Sequence, residues 1–194
     1  WLTPKAVRAG AWIAFAGAFT CGLYLVWHGG WPIVLIGLTS LAAGWAYTGG
    51  PRPISRGPWG ELFVLGFFGI VAVGGSYYVQ TLTLSHLAVF CGLLLGTHGA
   101  AVITVNNYRD LDGDRENGRR TLAILAGRRA TRLIYAGEIL SPYLLLPLLA
   151  SPLGSWAALP LLSLPAGMIL IQRFRKLPPG PAFNPLLAKT AALQ

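Results

Sequence analysis

Residues 85–116 read SHLAVFCGLLLGTHGAAVITVNNYRDLDGDRE, some twenty residues almost free of charge followed by a run dense in acids and arginines. The apolar part matches the roughly 20 residues that a helix needs to cross the hydrocarbon of a bilayer. It is continuous and does not alternate, so it lacks the two-residue period of a half-buried strand. In lipid a helix also satisfies its own backbone polar groups, which an open strand does not. The stretch reads as a membrane-spanning helix that ends at a charged surface.

Five more apolar segments flank it, giving six in all: about 11–27, 31–48, 61–79, 85–105, 130–150 and 155–172. The 194 residues are 54% hydrophobic and only 11% charged, where a soluble domain carries roughly a quarter of its residues as charged types. The expected class is all-α, a polytopic transmembrane helix bundle of six spans forming a single membrane domain over 1–194. Gly66, Gly69, Gly92, Gly96, Pro142 and Pro160 fall inside the spans, where small residues let helices approach and prolines bend them. Cys21 and Cys91 lie within apolar runs and have no metal or redox spacing.

Charge is distributed to one side. The links His28–Gly30, Gln80–Leu84 and Ser151–Gly154 hold no Lys, Arg, Asp or Glu, whereas the other connections hold all fifteen Lys and Arg. By the positive-inside rule the basic side is cytoplasmic. The net charge of +9 admits nucleic acid, anionic lipid or a polyanionic substrate as partner. Its confinement to the mouths of spans favours membrane lipid and an anionic substrate over nucleic acid.

Four of the six acids, Asp110, Asp112, Asp114 and Glu116, crowd into one heptad. If the fourth span stays helical past Val105, then Asn106, Asp110 and Asp114 stack on one face and Asp112 points elsewhere. Carboxylates at that spacing repel unless a cation sits between them. The expected cation is Mg²⁺, which is usually held by one or two carboxylates together with substrate phosphates. Arg109, Arg115, Arg119, Arg120, Arg128, Arg129 and Arg132 surround the acids and suit a diphosphate. Metal ligands are therefore expected at Asp110 and Asp114, with Asp112 in reserve. Asn106 and Asn107 belong to the same cluster, and Arg115 and Arg120 are assigned to phosphate.

A second polar island, Tyr47-Thr48-Gly49-Gly50-Pro51-Arg52-Pro53, closes the second span with a tight turn. Within the spans Glu138 and His98 stand out, since an ionisable group at that depth usually has a partner. Backbone amides freed in the turn after Tyr47 could meet a phosphate or carboxylate, Arg52 could add charge there, and His98, about two turns deeper than Asn106, could touch a bound ring.

Taken together, Tyr47-Thr48-Gly49-Gly50-Pro51, Gly60-Glu61 with Phe67-Phe68-Gly69, Tyr77-Tyr78-Val79-Gln80-Thr81 and Asn106-Asn107-Tyr108-Arg109-Asp110 through Asp114-Arg115, Gly118 and Thr121-Leu122 resemble the UbiA-type intramembrane aromatic prenyltransferases. The resemblance implies a nine-helix bundle around a cavity and two aspartate-rich motifs that bind a prenyl diphosphate through Mg²⁺. The acid run here resembles the second motif, and the six spans resemble the third through eighth helices. The first motif would then lie before Trp1 and the last helix after Gln194. Neither end of the chain reads as a natural terminus, and no signal peptide is recognised.

The Tyr-Thr-Gly-Gly-Pro and Tyr-Tyr-Val-Gln-Thr stretches resemble the branch that serves menaquinone biosynthesis. That branch transfers a polyprenyl group from polyprenyl diphosphate to 1,4-dihydroxy-2-naphthoate with decarboxylation, and the resemblance makes Tyr47, Arg52 and His98 the candidates for contact with the aromatic acceptor. The implied location is a bacterial inner (cytoplasmic) membrane, multi-pass, with the active site facing the cytoplasm. Other aromatic acceptors, such as 4-hydroxybenzoate or homogentisate, remain open on the same fold. A membrane transporter is the reading from another class, and it calls for more ionisable groups at mid-membrane than the sequence holds.

Overall fold

The computed structural model describes residues 3–194, leaving Trp1 and Leu2 outside, and no strand occurs among the described residues. Helix α1 (Pro4–Gly29) starts at Thr3, whose Oγ1 accepts from the Ala6 N–H at 3.2 Å. Pro4 suits the first turn because no intrahelical bond is asked of its missing N–H. A single residue, Gly30, joins α1 to α2 (Trp31–Thr48), with φ of 69°. A side chain there would be strained, and glycine makes the reversal at no steric cost. Both helices present apolar side chains outward, among them Trp12, Phe15, Phe19, Trp31, Leu38 and Trp45. A surface of that kind belongs in lipid.

Helix α3 (Gly60–Thr81) is α-helical at both ends and π-helical over Leu65–Val71. Ser85 caps α4 (His86–Arg109), its Oγ accepting from the Ala88 N–H at 3.4 Å. The two helices run antiparallel and meet backbone to backbone where Gly69 lies against Gly92 and Gly96. A methyl on Gly96 would stand 2.6 Å from the Leu65 carbonyl oxygen and 3.1 Å from the Gly69 Cα. Val64 beside Gly99 and Gly60 beside Ile103 continue the same register towards the charged end.

After a break at Asp110 come α5 (Leu111–Glu116) and α6 (Leu122–Leu145), the latter bent at Gly127, which has φ 76° and ψ 167°. Helix α6 packs on α4. Beyond it the chain stays helical through 3₁₀ turns at Leu146–Leu149 and Gly154–Ser163 into α7 (Leu164–Lys176). Among the described residues five helices are long and apolar enough to cross a membrane, and the fifth comprises all 55 residues of Leu122–Lys176. At 1.5 Å per residue it would measure about 80 Å, far more than a bilayer's roughly 30 Å.

This long segment folds back on itself. The Tyr143 hydroxyl meets Ser163 Oγ at 2.8 Å, and a methyl on Gly167 would touch Ile139 at 3.0 Å. Both pairs centre on the Leu153–Gly154 junction, where Gly154 takes φ of 58°. The two legs are the fifth and sixth apolar segments expected from the sequence. Their link is not an open loop, because tight 3₁₀ turns keep its backbone groups paired next to lipid.

Helix α8 (Asn184–Leu193) follows a turn at Pro181–Phe183 and packs on α4 and α7. Tyr108, Tyr135, Phe174 and Phe183 are wholly buried, with ring centroids of contacting pairs 4.2 to 5.2 Å apart. This cluster pins α4, α6, α7 and the turn before α8 together at the charged end.

The contact between α3 and α4 should not accept a side chain. Gly96→Val is expected to lower stability by about 1–3 kcal/mol through overpacking, read as a fall in the thermal unfolding midpoint in detergent. Gly137→Ala on α6, where an added methyl meets nothing within 4 Å, should leave the midpoint unchanged or slightly raised.

Candidate active site

Helix α4 ends at Arg109, and Asp110 leaves the helical conformation with φ −93° and ψ 7°. The four-residue hydrogen-bond spacing nevertheless survives the break. The Asp110 N–H donates to the Asn106 carbonyl at 3.1 Å, and the Asp114 N–H donates to the Asp110 carbonyl at 2.8 Å. The acid run thus follows α4 across a kink and is not one straight helix.

Arg109 organises this end. Its Nε and Nη2 donate to the two Asp110 oxygens at 2.8 and 2.7 Å, a bidentate pair of the strong kind. Nη2 also reaches Asn106 Oδ1 at 2.9 Å, and Nη1 reaches Asn184 Oδ1 on α8 at 3.1 Å. Asp114 is buried and lies 3.2 Å from Arg119, whose N–H also donates to the Asp114 carbonyl at 2.9 Å. Burial pushes the Asp114 carboxyl above the usual aspartate range, Arg119 opposes that rise, and the nearby Asp110 adds to it. Asp112 is exposed and 3.3 Å from Arg128.

These side chains border a cleft of about 390 Å³ lined by Arg109, Asp110, Asp112, Gly113, Asp114, Asn117, Pro179 and Gly180. Among the described residues no three His, Cys, Asp or Glu side chains come together to hold a metal. A cation here would meet one or two carboxylates and draw its other oxygens from water or a ligand. That donor set is one a hard cation such as Mg²⁺ accepts.

The other residues singled out from the sequence are scattered around this centre. Asn107 is not among the residues lining the cleft, and its Nδ2 donates to Glu61 Oε1 on α3 at 2.9 Å. The Tyr47 ring stands 5.0 Å from that of Phe63, with its hydroxyl near Gly60. Arg52, Arg115 and Arg120 are exposed. The Arg120 N–H donates to the Arg56 carbonyl at 2.8 Å and ties two loops together. His98 is buried between α4 and α6, its Nε2 3.4 Å from the Ile139 carbonyl, and it does not line the cleft. Glu138 has its partner in Thr104, whose hydroxyl donates to Oε1 at 3.0 Å.

Glu61 carries part of the family resemblance but has no role assigned from the sequence, Asn184 is not singled out there, and Arg109 and Arg119 are two of seven arginines. Glu61 had a signal, being an acid within an apolar segment like Glu138. Asn184 had none, because it lies 75 residues from the arginine it meets.

The sequence profile described as the UbiA prenyltransferase family matches residues 2–184. The 1,4-dihydroxy-2-naphthoate octaprenyltransferase of Bacillus subtilis is 33% identical over 143 residues, covering 74% of this chain and 46% of the relative. The protein of the same description from Mycobacterium tuberculosis is 31% identical over 185 residues, covering 89% and 63%. UbiA prenyltransferase domain-containing protein 1 of Mus musculus is 35% identical over 161 residues, covering 83% and 46%. The chain therefore spans about half to just under two thirds of the length of these relatives. With a matching profile over nearly all its residues and an all-helical membrane fold, the chain belongs to the UbiA prenyltransferase family.

Proposed function

We propose that this chain carries the diphosphate-binding half of an enzyme that transfers a polyprenyl group from polyprenyl diphosphate to 1,4-dihydroxy-2-naphthoate, with loss of the carboxylate, in menaquinone biosynthesis. The observation that carries the reading is the cleft at the end of α4, where Asp110 and Asp114 stand among arginines at the mouth of a membrane bundle. Relatives described by that activity support the choice of acceptor. On this reading the remaining metal ligands lie on sequence that precedes Trp1.

Asp110 and Asp114 would hold Mg²⁺, with Asp112 as an outer ligand. Bound there, Mg²⁺ would supply Lewis-acid neutralisation of the departing diphosphate. The protein's own contribution is positional and electrostatic. Arg109 and Arg119 place positive charge beside the carboxylates, where phosphate oxygens arrive, and Arg115 and Arg120 add charge at the rim. Such fixed charges act where negative charge grows on the leaving group. As the allylic C–O bond breaks and its electron pair leaves with the diphosphate, the electron-rich naphthoate ring attacks the allylic carbon, and departure of the carboxylate as CO₂ returns its bonding pair to the ring and restores aromaticity. The apolar spans keep water from the reactive allylic centre. Tyr47, whose hydroxyl lies near Gly60 at the start of α3, remains a candidate for contact with the acceptor.

On this reading the cleft faces the cytoplasm from a bacterial inner membrane, and the confinement of the basic residues to its side of the spans supports that orientation. A water-soluble diphosphate head and a lipid-soluble tail meet there, so the substrate's own chemistry suits that position.

The test is prenyl transfer by the full-length protein in liposomes with Mg²⁺, a polyprenyl diphosphate and 1,4-dihydroxy-2-naphthoate. Asp110→Ala and Asp114→Ala should each reduce kcat by about 10²–10³, the scale of losing one transition-state charge partner. Removal of divalent metal with EDTA should abolish turnover, and added Mg²⁺ should restore it. Product from another aromatic acid but none from the naphthoate would overturn the acceptor. Absence of any prenyl transfer would overturn the function.

A further inference from the structure

Glu61 is 4% exposed, on the first turn of α3. Its Oε1 accepts a single bond, from Asn107 Nδ2 at 2.9 Å, while its Oε2 is buried without a partner. A carboxylate so placed is a poor device for stability, since an incompletely paired buried charge is often improved upon by an apolar side chain. Its use must be sought in what it does to Asn107.

The Glu61 oxygen that Asn107 meets is an acceptor, so it selects one of the two orientations of the Asn107 amide. The NH₂ faces Glu61 and Oδ1 faces away, without a hydrogen-bond partner among the described residues. Asn107 stands one helical turn before Asp110 and directly after Asn106, whose own Oδ1 is taken by Arg109. Asn107 Oδ1 is the amide oxygen of this pair left free for a ligand.

We propose that Glu61 is a positioning residue that holds the Asn107 amide with its NH₂ towards α3 and its oxygen turned away from Glu61, free to meet the Mg²⁺–diphosphate when it binds next to Asp110. The proposal rests on the function proposed above. Without Glu61 the amide can turn over and present its N–H groups to a cation, which disfavours binding. The role parallels that of outer-shell carboxylates that orient metal ligands in other proteins.

The experiment measures binding of Mg²⁺ with a non-reactive prenyl thiodiphosphate to the full-length protein by calorimetry, alongside the thermal unfolding midpoint. Glu61→Leu should weaken binding about tenfold or more, as losses of such outer-shell partners do, while leaving the midpoint equal or higher. Glu61→Gln, whose side-chain oxygen can still accept from Asn107, should restore most of the affinity. In an Asn107→Ala background, Glu61→Leu should cost nothing further, because the two act as one unit.

Wild-type affinity in Glu61→Leu would overturn the proposal. So would a loss of binding that tracks a lowered midpoint, or an undiminished effect of Glu61→Leu in the Asn107→Ala background. A wild-type protein that binds no thiodiphosphate with Mg²⁺ would instead remove the functional reading itself.

Discussion

Two helix backbones meet where Gly69 rests against Gly92 and Gly96, and that contact leaves no slack along α3 and α4. Within a membrane no water competes for the space between helices, so close van der Waals packing of small residues carries the association. Because the helices are antiparallel and in direct contact, fixing one point of register fixes the rest. Leu65 falls beside Gly96, Val64 beside Gly99 and Gly60 beside Ile103. One turn further on, the same register delivers Glu61 to Asn107. The polar contact at the charged end is thus set by glycines that lie well inside the apolar part of the bundle.

The opposite face of α4 uses bulk where the α3 face uses its absence. Tyr108 is stacked among Phe174, Phe183 and, through Phe174, Tyr135, all fully buried. This cluster sits directly beneath Arg109 in the chain and holds the turn that presents Gly180 to the cleft and Asn184 to Arg109. A rigid aromatic floor under a charged rim lets four side-chain bonds converge on one guanidinium without asking the arginine to order itself. The acids are then kept close together by arginines, and the repulsion expected of carboxylates at helical spacing is met from the protein's own side chains.

The class of fold was readable because it depends on composition and run length, which a bilayer constrains harshly. The loop at Ser151–Gly154 was readable as a reversal but not as helix, since 3₁₀ pairing next to lipid leaves no mark in hydropathy. The acid run showed itself through charge density, and the break at Asp110 did not, because a single residue with bridge-region dihedrals has no composition of its own. His98 was visible as an oddity inside a span, yet only the approach of α6 reveals that it meets the Ile139 carbonyl and not the cleft. Which arginine serves which acid depends on rotamers and on helices distant in sequence. Seven arginines near four acids therefore did not resolve into pairs until the chain was folded.

The bond from Arg109 to Asn184 reaches across 75 residues, and that separation bears on the order in which the protein is made. At the roughly 5–20 residues per second of chain synthesis, α4 is complete about 4–15 seconds before its partner on α8 has been added. During that interval Arg109 has Asp110 and Asn106 for company, and the cleft has no wall from Pro179 and Gly180. The acids at the mouth of α4 stay open to water and ions while the later helices enter the bilayer. Closure of the cleft waits for Pro179, Gly180 and Asn184, so a chain stalled before them carries the whole acid run and still lacks a finished site.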